Sequence, residues 1–169
     1  KNKKLRDYSS LLREYGWKNK FNSQINGRNS RLDELQASIL RVKLKKLKED
    51  NIKRIKIASN YFRNFNKLSE INLPFHDFKN MHVYHLFVIR VKRRNNLKEF
   101  LKRKGIFSAI HYPVPIHKQK GFMKKIKFIG SKRNIENITS SILSIPIYPE
   151  LKLLEQNYII KSLNEYYEQ

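Results

Sequence analysis

The sequence contains no cysteine, which excludes structural disulfides and thiolate metal sites and agrees with a reducing compartment. No stretch approaches the roughly 18 consecutive apolar residues of a membrane-spanning helix, and the N-terminus has no hydrophobic signal core. A cytoplasmic, non-membrane protein is the expectation. Internal repeats and low-complexity tails are also absent. Acidic residues are scarce: 14 Asp and Glu stand against 37 Lys and Arg, for a net charge of +23. That excess points first to a polyanion such as nucleic acid, because Lys and Arg gain affinity by releasing counterions from phosphates. Lys outnumbers Arg by 25 to 12, however, whereas bidentate phosphate and base-edge recognition favours Arg. Lys, Asn and Ile, which share AT-rich codons, make up 61 of the 169 residues. The charge therefore reads as compositional drift with a mild attraction for anions, and nucleic acid is not the expected partner.

What is present suits one ordinary domain with a real core, since 40% of the residues are hydrophobic and 12% aromatic. Position 1 is Lys, not Met, and the expectation is an interior piece of a longer chain. Leu5, Tyr8, Leu11, Leu12 and Tyr15 have helical spacing and Gly16 follows as a C-cap. Residues 17–29 lack periodicity and read as a loop. Ser30 and Asp33 read as a capping box opening a long helix that ends near Leu68. Along it Leu40, Leu44, Leu47, Ile55, Ala58, Phe62 and Phe65 form one apolar stripe. After Leu73-Pro74 a second body is expected. It starts with a strand over 83–91, a helix capped by Asn95 or Asn96 and stopped by Gly105, and a returning strand over 106–112. Pro113 and Pro115 force an extended segment. A short basic helix near 119–127, a helix over 134–144 and an extended exit at Pro146–Pro149 follow. A terminal helix over 151–167 turns Leu154, Tyr158, Ile159 and Leu163 inward.

The run GRNSRLDELQASILRVKLKKL (residues 27–47) closely resembles the start of the connecting helix in the DegT/DnrJ/EryC1/StrS family of sugar aminotransferases, which use pyridoxal phosphate. LLREYG, YHLFVIRV, LKEFLKRKGI, IHYPVPIHKQ and ILSIPIYPEL match further family blocks in the same order. The resemblance implies an α/β chain, the C-terminal part of a fold type I pyridoxal-phosphate transferase. Residues 1–28 would be a remnant of the large cofactor domain, 29–68 the long connecting helix, and 69–169 a small sheet-and-helix domain. It further implies a homodimer with shared active sites, a nucleotide-sugar substrate and an amino-acid donor, commonly glutamate.

Asn29 is the sharpest candidate: an amide at a helix mouth can donate to a phosphate oxygen, and the resemblance implies that it reaches the cofactor phosphate of the facing subunit. As residue chemistry alone it is equally an N-cap or Asx turn. Arg31 is a candidate for an anionic substrate, or for an ion pair with Asp33 or Glu34. His111 and Tyr112 end a strand before two prolines, where α/β sheets place crevices, and with His117 they are the remaining substrate-binding candidates. Either His could instead be a satisfied buried group, and His117 a surface residue. Zinc is not expected, because His82 and His85 sit at spacing that faces opposite sides of a strand and no cysteine completes a ligand set. No catalytic residue is assigned: the Schiff-base lysine of the resembled family lies in a motif that these residues do not contain, so the chain alone is expected to be inactive. Two other readings stand beside this one, a basic nucleic-acid-binding module without catalysis and a non-functional gene fragment.

Overall fold

In Phe87-Val88-Ile89-Arg90-Val91 apolar side chains recur at every second position, and the alternation buries Phe87, Ile89 and Val91 while Arg90 stays in solvent. This strand is central in the computed structural model, which describes residues 2–75, 79–121, 127 and 129–168. In chain order the described elements are α1 (Lys3–Arg13), β1 (Trp17–Asn19), β2 (Asn22–Ser23), α2 (Glu34–Phe65), β3 (Ile71–Asn72), β4 (Phe87–Val91), α3 (Arg94–Arg103), a 3₁₀ turn (Ile116–Lys118), α4 (Lys132–Ser141), β5 (Ile142–Ile145) and α5 (Leu153–Tyr167). The chain divides into two units, Lys1–Leu47 and Lys48–Gln169, with the division inside α2. The architecture is the expected α/β one, a long helix followed by a small sheet-and-helix body.

In the larger unit the sheet order is β3-β4-β5, antiparallel throughout, with Phe87 opposite Ile145 and Ile89 opposite Leu143. Ala109 adds a single antiparallel bridge on Ser144, the far side of β5 from β4. Residues near Ala109 therefore run parallel to β4, one strand removed, with α3 as the crossover. The expected returning strand is reduced to that bridge, since Pro113 and Pro115 follow too closely for the ladder to continue. The entering strand is also shorter than expected: Tyr84 has a left-handed backbone, φ 49°, and pairing starts only at Phe87.

The core forms where α2, α3 and α5 cover this sheet. Tyr61, Phe65, Phe87, Ile89, Leu97, Leu101, Leu143 and Leu163 are fully buried. Tyr61 and Phe62 each meet Phe87 edge-on at 5.2 Å between ring centres. The Tyr61 hydroxyl donates to the Pro146 carbonyl at 2.8 Å, and burial raises its phenol well above the usual range. Arg54 Nη1 donates to the carbonyls of Ile147 at 3.0 Å, His85 at 3.2 Å and Tyr84 at 3.3 Å. One guanidinium thus ties α2 to both the entry of β4 and the exit of β5.

Several boundaries differ from the sequence expectation for identifiable reasons. The long helix starts at Glu34, and the Ser30 capping box does not form, because the Ser30 amide is already given to the Arg13 carbonyl at 3.0 Å. The apolar stripe of α2 is buried only from Ile57 onward; Leu40, Leu44 and Leu47 are exposed. Helix α3 starts at Arg94 behind a left-handed Arg93, and Asn95 accepts from Arg94 Nε at 2.7 Å instead of capping. Gly105 does close that helix, at φ 75°, with the Ile106 amide returning to the Leu101 carbonyl at 2.8 Å. Helix α4 stops at Ser141, and Ile142 and Leu143 belong to β5, where pairing with β4 satisfies their backbone. In α5 it is Gln156, Ile159, Ile160, Ser162 and Leu163 that turn inward, while Leu154 and Tyr158 face solvent. Most of the basic helix expected near 119–127 lies outside the described residues.

Leu163 is fully buried and Leu44 is 68% exposed. Leu163→Ala is expected to lower the unfolding free energy by about 2–5 kcal/mol, and Leu44→Ala by no more than about 0.5 kcal/mol. Urea titrations of the two variants check this.

Candidate functional site

Asn29 is placed by backbone, not by a helix end. Helix α1 stops at Arg13, and the chain reverses through Tyr15 at φ 56° and Gly16 at φ 76°. A side chain at Gly16 would run into the Ile25 carbonyl, and one at Gly27 into the Gly16 amide and the Tyr15 carbonyl carbon. These two glycines allow residues 28–30 to lie against the end of α1. Three bonds fix the approach: Arg28 amide to Leu12 carbonyl at 2.7 Å, Ser30 amide to Arg13 carbonyl at 3.0 Å, and Tyr15 amide to Arg28 carbonyl at 3.1 Å. Between them Asn29 pairs with Glu14. The stretch expected to be plain loop also holds a small ribbon, with Trp17 opposite Ser23.

The Asn29 side chain is exposed, and its Oδ1 accepts from Arg31 Nε at 3.3 Å. Its amide group is left as a donor, and the rest of the Arg31 guanidinium stands beside it. Asn29 is not an N-cap, since α2 starts at Glu34. It lies five residues ahead of the first residue of that helix. Among the described residues Arg31 makes no ion pair with Asp33 or Glu34. The two candidates therefore form one exposed donor pair.

In the larger unit His111 and Tyr112 line a cavity of about 350 Å³ together with Pro115, Ile116, Thr139 and Ile142. Their rings stand nearly perpendicular at 5.9 Å, and the peptide between them is cis. His111 Nδ1 lies 2.9 Å from the hydroxyl of Ser144, which is only 5% exposed. His117 is not part of that cavity. Its side chain is buried, with Nε2 at 3.4 Å from Glu136 Oε1, and Lys118 Nζ reaches the same oxygen at 2.9 Å. Hydrogen bonds from Lys118 and then His117 hold the Glu136 carboxyl below its usual value. A second cavity of about 450 Å³ is lined by Arg94, Lys118 and Glu136, and Val114 and Pro115 are common to both. The proline-rich segment and Thr139 of α4 thus border both hollows. Sequence reasoning missed Ser144 and Glu136. Ser144 left one trace, a lone hydroxyl inside the apolar run Ile142-Leu143-Ser144-Ile145.

The fold recurs in solved aminotransferases. A Streptomyces venezuelae DesV structure in complex with a ketimine intermediate superposes with a TM-score of 0.91 at 33% identity, over 99% of this chain and 45% of that one. A DegT DnrJ EryC1 StrS aminotransferase from Brucella abortus superposes with a TM-score of 0.89 at 28% identity and similar coverage, 99% and 45%. Residues 1–164 match the DegT/DnrJ/EryC1/StrS aminotransferase family, and the chain belongs to it. Over 162 residues it is 39% identical to a dTDP-3-amino-3,6-dideoxy-alpha-D-galactopyranose transaminase from Aneurinibacillus thermoaerophilus, covering 96% of this chain and 44% of that protein. Over 158 residues it is 35% identical to a dTDP-3-amino-3,4,6-trideoxy-alpha-D-glucose transaminase from Streptomyces venezuelae, covering 94% and 42%. The chain thus spans less than half the length of these relatives.

Gly16→Ala forces a side chain onto a left-handed backbone and into the Ile25 carbonyl. The expected result is at least about tenfold faster hydrogen exchange at the Arg28 and Ser30 amides, matching a local loss of about 1.4 kcal/mol. The amides of β4 and β5 should keep their wild-type protection.

Proposed function

We propose that this chain is part of a pyridoxal-phosphate-dependent enzyme that moves an amino group from an amino acid, glutamate in our reading, to a keto-sugar carried on a nucleoside diphosphate. The observation that carries the proposal is the exposed donor pair of Asn29 and Arg31, in a chain whose named relatives are dTDP-sugar transaminases. Both groups suit a phosphate. The amide gives neutral donors and the guanidinium gives charge and a planar fork, and neither is tied up by an acidic partner among the described residues. The cofactor, when bound, supplies the carbonyl group that accepts nitrogen from the donor and passes it to the sugar.

In this reading residues 1–28 belong to the large cofactor domain, 29–68 form the connecting helix and 69–169 the small domain of a cytoplasmic homodimer. Asn29 donates to the cofactor phosphate of the facing subunit, and Arg31 attracts the anionic substrate. His111 and Tyr112 face the sugar nucleotide, and His117, held on Glu136, braces the wall behind them. These residues bind and orient. The lysine that holds the cofactor and moves the proton is contributed by the family's large-domain motif, so the 169 residues by themselves do not transaminate.

The test is spectroscopic. The protein is produced together with any in-frame upstream sequence that bears the family's lysine motif, and is mixed with pyridoxal phosphate. A visible absorption band that bleaches on adding glutamate is expected. Asn29→Ala should weaken cofactor binding by about 10- to 100-fold, the effect of losing one hydrogen bond to a charged group. No band, or an Asn29→Ala variant that binds like wild type, would overturn the reading.

A further inference from the structure

The Ser144 residue sits on β5 and is buried, at 5% exposure. Its sole side-chain partner among the described residues is His111 Nδ1, at 2.9 Å. Two arrangements satisfy that distance. If Nδ1 carried the proton and donated to Ser144 Oγ, the hydroxyl hydrogen would have no acceptor among the described residues, on a residue only 5% exposed. If the hydroxyl donates to a bare Nδ1, the two facing atoms satisfy each other and the ring proton sits on Nε2. Burial makes the first arrangement the costly one. Nε2 has no partner among the described residues, and His111 as a residue is exposed at the mouth of the 350 Å³ cavity.

The main chain removes the slack that would let the pair drift apart. Ala109 and Ser144 exchange both backbone bonds, Ala109 amide to Ser144 carbonyl at 3.0 Å and Ser144 amide to Ala109 carbonyl at 2.7 Å. His111 follows Ala109 by two residues, so the segment that carries the imidazole is fastened to the residue that orients it. Elsewhere the cavity wall is mostly apolar, from Val114, Pro115, Ile116 and Ile142.

We propose that Ser144 is a positioning residue that fixes His111 as its Nε2–H tautomer, making this cavity a subsite for an acceptor oxygen of the ligand, a hydroxyl or a phosphate oxygen. An Nε2–H group donates and cannot accept, so a ligand that places an ammonium group there meets a donor with a donor. Which ligand enters rests on the aminotransferase reading given above; the tautomer does not, and the two fail separately.

Ring-nitrogen NMR on the full chain labelled with 15N-histidine decides it, with the His111 signals assigned by their loss in His111→Gln. The expected wild-type pattern is a protonated Nε2 and a bare Nδ1 in one sharp set. Ser144→Ala should move both nitrogens toward exchange-averaged values and speed loss of the Nε2 proton to water, and Ser144→Thr, which keeps a hydroxyl on a strand-compatible side chain, should restore the wild-type set. A wild-type ring protonated at Nδ1 overturns the proposal without any variant, as does a folded Ser144→Ala protein with an unchanged pattern. Inorganic phosphate and glucose are then titrated separately. A shift of the Nε2 proton with phosphate marks the subsite as one for a phosphate oxygen, a shift with glucose as one for a sugar hydroxyl, and a shift with neither overturns the subsite.

Discussion

The register of β5 against β4 is the constraint on which the larger unit depends. With Ile89 opposite Leu143 and Phe87 opposite Ile145, the two β5 side chains that complete the core fall on one face and Ser144 on the other. A slip of one residue would exchange the faces. Leu143 and Ile145 would leave Tyr61, Phe65 and Leu101, and the Ser144 hydroxyl would leave His111. Core and cavity thus depend on the same four-residue strand, and Arg54 reinforces the arrangement by gripping carbonyls at Tyr84, His85 and Ile147, just outside the paired segment at the end where Phe87 faces Ile145. A guanidinium can do this because its donors are fixed in a plane.

How much of this was legible in the sequence depends on whether a signal was local. Gly105 closing α3 was legible, because a left-handed residue after a helical run has few solutions other than glycine. The strand β4 was legible from its β-branched and aromatic content, also a local signal, although pairing begins only at Phe87. The end of α4 was not. Ile135, Ile138 and Ile142 keep helical spacing, and nothing in those residues says that Ile142 is claimed by Arg90 on another strand. Two serines mark the break in retrospect, since the Ser140 and Ser141 hydroxyls both fold back to the Asn137 carbonyl at 2.9 Å. Ser30 failed as a cap for the opposite reason: its neighbourhood suited a helix start, but its amide had already been taken by α1.

The candidate site divides along the same line. Asn29 was found through a motif, yet the physical reason offered for it, proximity to a helix end, is replaced by a close crossing of Gly16 and Gly27 that presses the strand-like segment onto α1. Gly16 is legible locally as a helix terminator and Gly27 as a loop residue, but their close approach to each other is not. Ser144 was invisible because its role exists only across three segments brought together by pairing. His117 was legible only as a candidate side chain; its contact comes from Glu136 of α4, nineteen residues away, and turns it from the His111 cavity toward the ion cluster.

The basic excess looks different once the cations are sorted by what they hold. Lysine is the commoner cation by 25 to 12, yet Arg54 and Arg94, which each bridge more than one main-chain carbonyl, are arginines. Arg54 spans three carbonyls, and Arg94 spans those of Thr139 at 3.4 Å and Ile142 at 3.1 Å while its Nε serves Asn95. Lys104 and Lys118 each serve a single carboxylate, on Glu165 and Glu136. An ammonium is a compact point charge on a flexible stem and can answer one acceptor well; holding several carbonyls in fixed directions needs the planar fork. Drift toward lysine is therefore compatible with this fold over most of its surface and meets resistance at Arg54 and Arg94, where charge is secondary and donor geometry sets the positions of the sheet ends.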